Sequence, residues 1–274
     1  MTETPGYFQA RDGVPLYGVY HAPDTSARVP LVVAPSFFEE RKSAYGALCA
    51  LARSCAAAGH PVLRFDYRGS GESGGAPALR RWSDLAADLA AAVERLKTLS
   101  GSANVAVAGL RLGGTLVLQQ ARSLRPAAVV ALAPFAQGRT QERQWRLRAK
   151  MRAEITAGAD APAPVSAAAS DLVDLDGFAA ARAFLDDVQA VDLFSPSGGV
   201  NGQPPGPLPC PTLLLQITLR DGPQPDSQRL IQALGPQTRL ECLRLEAFWD
   251  RIDDVEIRPM VNATVQFLGT VGEA

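Results

Sequence analysis

The segment NVAVAGLRLGGTLVLQQA, residues 104–121, constrains the fold more strongly than any other part of the chain. Its first residues are the small and β-branched types that fill buried strands, and its last residues have a helical pattern. Only a short run around Arg111 separates the two patterns. We therefore predict a strand over 105–109 that bends sharply into a helix over 113–124.

Similar alternation runs through most of the chain. Short β-rich runs predict further strands at 16–20, 30–34, 62–66, 128–133, 212–217 and 240–245. The patterns between them predict helices near 43–58, 79–99, 225–234 and 256–269, and in the second of these Leu85, Leu89, Val93 and Leu96 form one apolar face. Strands that alternate with helices are typical of the α/β class. We expect a mostly parallel central sheet flanked by helices.

The alternation stops after Pro134 and resumes near Pro209. Two helices are predicted in between, at 141–157 and 176–189, and they suggest a helical lid insertion. The stretch 195–211 is rich in Pro and Gly, which predicts an irregular connector. The predicted organisation is an α/β core of residues 1–136 and 210–274, interrupted by a lid insertion and connector at 137–209.

Composition excludes several classes of function. The chain has 274 residues, which suits one large domain, and its formal net charge of -1 provides no field that would attract nucleic acid or an anionic membrane. The four cysteines form no C-x-x-C pair and are expected to be buried free thiols. We predict no metal and no cofactor. The N-terminus has no signal-peptide pattern, so a cytoplasmic location is expected.

The bend at Arg111 has the pattern of a nucleophile elbow. Gly109, Gly113 and Gly114 surround the central residue, and such a turn is too sharp for bulky neighbours. The central residue of an elbow is usually a serine, but here it is Arg111. Leu110 and Leu112 flank it and are candidate substrate-binding residues.

With this elbow the chain resembles the α/β-hydrolase superfamily over nearly all of its length. VLRFDYRGSGES, residues 62–73, looks like the strand and loop before the helix that precedes the elbow, and LLLQITLRD, residues 213–221, looks like the segment that presents the triad acid. The resemblance places Asp221 at or near that acid position. Residues 245–249 stand where the family supplies its histidine, and none is there.

A narrower resemblance is to the group called exosortase A-associated hydrolase type 2. It depends on PSFFEERKS at 35–43, GLRLGG at 109–114, RQWRLRAKM at 143–151 and AFWD at 247–250. An arginine at the elbow is similar to that group's own pattern. The resemblance implies acyl or aminoacyl thioester substrates and an acyl or peptidyl carrier protein as a partner.

Neither histidine is expected to serve as a general base. His21 follows a predicted strand, and His60 lies in a helix-to-strand turn on the face opposite the carboxyl ends of the strands. Sites in α/β sheets form at the carboxyl ends, and a base must come within about 3 Å of the group that it deprotonates. Both histidines are predicted to be structural.

Arg111 at the start of a helix is suited to holding an anion. The helix N-terminus and the guanidinium both favour a carboxylate or phosphate. The alternative is that Arg111 pairs with Glu39, Glu40 or Asp221 and neutralises a pocket without activity. Glu39 and Glu40 follow the strand at 30–34 and are candidate acid–base groups, or else a solvated pair in a loop.

Aromatic residues are expected near the same cleft. Phe37, Phe38, Phe248 and Trp249 would line it with apolar walls, or else belong to the core. Ser36 is the nearest replacement nucleophile, and it lacks a visible base. The basic residues of the first lid helix form either a solvated face or a contact for a carrier protein or phosphate; they are Arg143, Arg146, Arg148, Lys150 and Arg152.

Three hypotheses follow for function. The first is an enzyme that acts on an acyl, ester or thioester substrate, with Arg111 as an anion anchor and Glu39, Glu40 or Asp221 transferring protons. The second is a non-catalytic pseudo-hydrolase that binds a small carboxylate or a protein partner, since serine and histidine are both missing. The third uses Ser36 as the nucleophile. A homodimer is also considered.

Overall fold

The computed structural model describes residues 1–25, 27–77, 80–156, 171–195, 206–251 and 255–271. Its strands are β1 Thr2–Gln9, β2 Pro15–Ala22, β3 Leu31–Ala34, β4 Val62–Phe65, β5 Ala106–Leu110, β6 Val129–Leu132, β7 Leu172–Leu175, β8 Phe178–Ala181, β9 Thr212–Ile217 and β10 Thr238–Leu243. Its helices are α1 Phe38–Ser43, α2 Tyr45–Ala57, α3 Trp82–Ser100, α4 Leu112–Leu124, α5 Gly138–Thr156, α6 Arg182–Ala190, α7 Pro225–Leu234 and α8 Arg258–Gly269.

Eight strands form one sheet in the order β1-β2-β4-β3-β5-β6-β9-β10. The first two pairings are antiparallel and the others are parallel. The predicted mostly parallel sheet flanked by helices is therefore confirmed, and β5 with the bend at Arg111 lies inside it. Strand β1 was not predicted, because it is an almost fully exposed edge strand without a strong apolar alternation.

The core lies on both faces of the sheet. One apolar cluster packs α3, α4 and α6 against one face, and a second packs α2 and α8 against the other. Strands buried on both faces read as continuous apolar runs, which is why they were predictable. The apolar face predicted for α3 is buried in the first cluster.

The insertion differs from its prediction in one element. The segment 176–189 was predicted as a helix, but β7 and β8 form a hairpin there and α6 begins only at Arg182. The hairpin turns at Asp176 and Gly177, which both have positive φ, and Asp-Gly is a strong hairpin signal that the helical prediction overlooked. Residue 157 of the first predicted lid helix and residues 196–205 of the connector lie outside the described residues.

The four cysteines are free, as predicted, but only three are buried. Cys242 is exposed because β10 is the other edge strand of the sheet. Among the described residues no helix combines the length and apolar character needed to cross a bilayer.

Candidate functional site

The bend between β5 and α4 is as sharp as its glycines predict. Arg111 has φ 52° and ψ -112°, a strained conformation for a residue with a side chain. A Cβ on Gly109 would lie 2.2 Å from the carbonyl oxygen of Gly113, and one on Gly113 would lie 2.3 Å from that of Ala34. Only glycine fits these two positions, so the turn projects the side chain of Arg111 at the carboxyl edge of the sheet.

The Arg111 guanidinium makes most of its contacts with neutral groups. Nη1 donates to the carbonyl oxygen of Ala133 at 3.1 Å, and Nη2 donates to Oε1 of Gln141 and, at 3.4 Å, to Oε1 of Gln144. Nε is buried without a hydrogen-bond acceptor and lies 3.6 Å from Oε2 of Glu40. The side chain is 13% exposed. The positive charge is held in place but is not fully enclosed.

The carboxylate of Glu40 offsets the positive charge of Arg111. It is fully buried, and its two oxygens accept hydrogen bonds from Oγ of Ser36 at 2.7 Å and Nε2 of Gln141 at 2.8 Å. Arg148 of α5 lies 3.9 Å away. Gln141 therefore joins Arg111 to Glu40 and connects α5 to the elbow. The prediction that Arg111 pairs with one of three nearby acids agrees with this geometry for Glu40.

Trp249 belongs to the segment 245–249, in which the resemblance leads one to expect a histidine. It belongs to a short 3-10 turn, Phe248–Asp250, and its ring centre is 5.1 Å from the guanidinium carbon of Arg111. Phe248 and Trp249 are both buried. A cation over an indole ring is attracted to it, so this contact helps to hold Arg111 in its orientation.

A cavity of about 230 Å³ opens beside Arg111. It extends from the elbow toward the start of α7, and α5 forms another of its walls. Its apolar surface includes Pro134, Phe135, Leu214, Leu230 and Trp249, and its polar surface includes Thr140, Gln216, Gln224, Asp226 and Ser227. We call this space the elbow cavity. It has an apolar lining with a few polar groups, which is typical of a small-molecule site.

Asp226 is the one carboxylate among the described residues of the elbow cavity. It was not predicted from the sequence. Asp226 lies in the first turn of α7, just beyond the carboxyl end of β9. Because sites in α/β sheets form at the carboxyl ends of strands, this position could have indicated Asp226.

Asp221 is not part of this site. Its side chain is 87% exposed and pairs with Arg244 at 2.8 Å. The resemblance placed it correctly in the loop after β9, but that loop turns Asp221 toward solvent. The proposed role of Asp221 beside Arg111 is therefore corrected.

Glu39 and Glu40 point to different partners. Glu39 lies 3.6 Å from Lys42 and 3.7 Å from Arg152. Only Glu40 reaches Arg111. The alternative of a solvated pair in a loop is wrong for Glu40, because both residues lie in α1 and Glu40 is fully buried.

The hydroxyl of Ser36 lies beside a carboxylate, but the residue is not accessible to a substrate. No base for it was visible in the sequence, whereas the structure places Oε2 of Glu40 at 2.7 Å from its hydroxyl. Ser36 has no exposed surface, however. Its hydroxyl orients Glu40 and has no route to a substrate carbonyl.

The remaining predicted binding residues lie mainly in the core. Phe37 and Phe38 pack against Tyr67, Phe184 and Trp145 in an aromatic cluster. They do not line the elbow cavity, and neither do Leu110, Leu112 and Phe248, which are buried. Of the predicted substrate-binding residues, Trp249 alone contributes to this cavity in the described part of the chain.

Both histidines lie away from the elbow. His21 pairs across the sheet with Val62, the first residue of β4, and His60 precedes that strand. Burial is the main cause that lowers the pKa of His21 to about 4, and burial also lowers the pKa of His60. Both are fully buried at the amino ends of the parallel strands. This placement fits the structural role predicted for them.

Most of the basic residues on α5 have acidic partners. Arg146 pairs with Glu142, Arg152 lies 3.2 Å from Asp176, and Lys150 lies 3.9 Å from Glu154. Arg148 bonds Asp250 at 2.6 Å. Burial raises the pKa of Asp250, and the charge of Arg148 opposes that effect. The helix therefore interacts with α1 and with the turn that carries Trp249.

No group of three or more metal-binding side chains occurs among residues with described positions.

The comparisons with known proteins agree with this architecture. Residues 38–170, just under half of the chain, match the family model described as serine aminopeptidase, S33. No curated protein sequence matches the chain. A solved structure of Est1E from Butyrivibrio proteoclasticus with bound ferulic acid is 18% identical, with a TM-score of 0.65, and the match covers 97% of this chain and 98% of that one.

Two further solved structures are similar. The Pyrococcus furiosus esterase Pf2001 is 16% identical with a TM-score of 0.67, covering 98% of this chain and 91% of its own. The α/β hydrolase GrgF from Penicillium is 19% identical with a TM-score of 0.67, covering 99% of both chains. Likeness at this level of identity shows the fold. The chain has the α/β-hydrolase fold, with an arginine at the elbow.

Proposed function

We propose that this chain of α/β-hydrolase fold binds an acyl ester, thioester or carboxylate in the elbow cavity and acts on it without forming an acyl-serine intermediate. One observation carries the proposal. The elbow residue, which is the nucleophile in the usual form of this fold, is a fixed cation whose side chain lines a cavity. The solved structures that resemble the chain include esterases, which supports an acyl compound as the ligand.

The donors of Arg111 support this role. A guanidinium has five N–H donors, and the contacts to Ala133, Gln141 and Gln144 use three of them. The second hydrogen of Nη1 is therefore available to a ligand oxygen. The contact to Gln144 is the longest of the three, and Gln144 is exposed, so a carboxylate can replace it. A carboxylate could then accept two hydrogen bonds from the outer edge of the guanidinium.

Hydrolysis by direct attack of water is the enzymatic form of this function. Water attacks the carbonyl carbon, a carboxylate accepts the proton, and Arg111 donates to the oxygen that becomes negative. The C–O or C–S bond then breaks, and the leaving group takes up the proton. Asp226 in the cavity wall favours this candidate. Glu40 is enclosed and fixed by its hydrogen bonds, so its role is to hold Arg111.

Binding without turnover is the second candidate. The observation in its favour is that no histidine or cysteine lines the described part of the elbow cavity, so its hydroxyl groups have no imidazole to activate them. In this form the chain is a pseudo-hydrolase that holds a small carboxylate or acyl group.

A more specific proposal is that a carrier protein supplies the acyl group. It comes from the resemblance to the exosortase-associated group, and one surface feature supports it. Leu147 and Met151 of α5 are each 56% exposed and lie one turn apart, with the exposed Arg143 one turn before them. A helix face with apolar and basic residues suits an acidic protein that delivers a thioester near the elbow.

The test measures binding and turnover separately. Calorimetry with a series of linear carboxylates should give saturable binding to the wild-type protein and at least about tenfold weaker binding to Arg111→Met, which keeps the length of the side chain and removes the charge. Arg244→Met, on an exposed ion pair, is the matched control. Equal affinity of wild type and Arg111→Met would refute the proposal.

Turnover distinguishes the two candidates. Acyl thioesters and aryl esters are incubated with wild type, Arg111→Met and Asp226→Asn. Hydrolysis that falls in both variants supports the enzymatic form. Binding without hydrolysis above the rate of Arg111→Met supports the pseudo-hydrolase.

A further inference from the structure

A second polar cavity lies at the antiparallel corner of the sheet and shares no residue with the elbow cavity. Its volume is about 420 Å³, and it lies between strands β1, β2 and β4 and the first half of α2. We call it the Arg64 groove, and the residues that line it are Glu3, Pro5, Tyr17, Val19, Tyr45, Gly46, Cys49, Arg53 and Arg64. None of these residues was a candidate site residue from the sequence.

The register of the three strands explains why these side chains meet. Pro5 pairs with Val19, and Val19 pairs with Arg64, so all three lie on one rung and on the same face of the sheet. Two residues farther along, on the same face, Tyr7 pairs with Tyr17. Directly opposed residues in antiparallel strands project to the same side. This face of the corner is therefore polar and aromatic, whereas the adjacent parallel strands are apolar.

Arg64 forms no close ion pair with a residue of described position, although the carboxylate of Glu3 lies near enough to interact with its charge. Its Nε donates to Nε2 of His21 at 3.1 Å, and no carboxylate lies within ion-pair distance of it among the described residues. His21 contributes no negative charge, and its lowered pKa of about 4 keeps it neutral at pH 7. The side chain is partly buried between the sheet and α2. A cation in this position needs an anion or water as its partner.

The other charges of the groove largely cancel. Glu3 forms a two-point contact with Arg53, at 2.6 and 3.4 Å. The described lining of the groove holds two arginines and one carboxylate, so its formal charge is positive. The face that remains open should attract an anion.

Aromatic rings form the rest of the recognition surface. The guanidinium carbon of Arg64 lies 5.4 Å from the centre of the Tyr45 ring, and Tyr45 is 50% exposed. Tyr17 lines the opposite side, and its ring meets that of Tyr7 at 5.5 Å. Exposed tyrosines beside arginines are the composition found at binding hot spots. A flat ligand can contact the exposed part of the Tyr45 ring while its anionic group faces Arg64.

We propose that the Arg64 groove is a second binding site, for a small ligand with a carboxylate or phosphate group on a planar body. Arg64 binds the anionic group, and Tyr17 and Tyr45 contact the planar part. The geometry of a guanidinium fork suits both anions, because each presents two oxygens at the spacing of its donors. The site is independent of the elbow cavity and of the function proposed for it.

The experiment uses phenyl phosphate, benzoate and inorganic phosphate as probes in calorimetry with the full chain. Phenyl phosphate or benzoate should bind saturably, and inorganic phosphate more weakly because it lacks the ring. The stronger of the two aromatic probes identifies the anionic group. Arg64→Gln should weaken binding at least about tenfold, while Arg95→Gln, a control on the exposed surface of α3, should leave it unchanged.

Two more variants serve as controls for misfolding and for binding of the probes at the elbow cavity. Tyr45→Ala removes an exposed ring without touching the core, and should weaken binding of phenyl phosphate more than that of inorganic phosphate. Arg111→Met, which removes the anion anchor of the elbow cavity, should still bind phenyl phosphate saturably, and adding Arg64→Gln to it should weaken that binding. The proposal is overturned if no probe saturates at millimolar concentration, if Arg64→Gln and Tyr45→Ala both bind as wild type does, or if Arg111→Met abolishes binding.

Discussion

The guanidinium carbon of Arg111 lies 5.1 Å from the centre of the Trp249 indole ring. The sequence resemblance leads one to expect a serine at residue 111 and a histidine within the segment 245–249. This chain has an arginine and a tryptophan there, and their side chains contact each other. The chain therefore combines the α/β-hydrolase fold with a cation–aromatic pair at the carboxyl edge of its sheet.

A first prediction concerns the restoration of a nucleophile. Arg111→Ser alone should give no labelling by a fluorophosphonate probe, because a serine needs an adjacent base. The double variant Arg111→Ser/Trp249→His adds an imidazole at the turn that contacts residue 111 and should react at least about tenfold faster than either single variant. Labelling of wild type or of Trp249→His would show that another serine is active, and would contradict the role assigned to Ser36.

A second prediction concerns the buried ion pair. Arg111→Ala leaves the carboxylate of Glu40 without its closest cation and should lower the free energy of unfolding by about 3–5 kcal/mol. Adding Glu40→Gln should recover part of that loss, with a coupling energy of about 1–3 kcal/mol in a double-mutant cycle measured by urea unfolding. Additive losses would mean that the two side chains do not interact.

The fold and the elbow were predictable from sequence for physical reasons. Parallel strands buried on both faces give apolar runs, and the bend at Arg111 needs Gly109 and Gly113 because carbonyl oxygens lie against their Cα atoms. Such constraints are local, so they are visible in the sequence.

The details of the site were not predictable in the same way. Nothing local distinguishes Asp221 from Asp226, because both are exposed and the path of the loop after β9 decides which of them lines the cavity. Gln141 was missed because its role depends on where α5 crosses the elbow, and that position is set by contacts between segments far apart in sequence. The narrower family resemblance and the carrier protein stay predictions.

A third prediction tests the close approach at the elbow. Gly109→Ala and Gly113→Ala would each bring a methyl group within 2.3 Å of a backbone carbonyl oxygen, so each should destabilise the fold by more than about 3 kcal/mol or prevent folding. Gly6→Ala in the edge strand β1 has open space and should change stability by less than about 0.5 kcal/mol. Comparable thermal stability of all three variants would contradict the geometry of the bend.

A fourth prediction concerns stability in acid. The pKa of His21 is about 4 in the folded chain, against 6.5 for an unperturbed histidine, so the unfolded chain binds the extra proton first as the pH falls. Stability should therefore decrease from about pH 6.5 toward pH 4, and His60, whose pKa is also lowered, adds to the decrease. His21 alone should account for about 2 kcal/mol between pH 7 and pH 5.

The control for this prediction is His21→Gln. An amide oxygen can accept the hydrogen bond from Arg64, and it does not titrate. The change in unfolding free energy between pH 7 and pH 5 should be smaller in this variant by about the amount assigned to His21. An identical pH dependence in wild type and variant would show that the histidine is not held neutral.

The central claim is that Arg111 presents a fixed positive charge to a ligand in the elbow cavity. The most direct measurement is a crystal structure with a bound ω-bromo carboxylate, in which anomalous scattering locates the bromine. We predict that the carboxylate accepts hydrogen bonds from Nη1 and Nη2 of Arg111, with the bromine farther along the cavity. A carboxylate bound elsewhere, or a guanidinium turned away from the cavity, would contradict the claim.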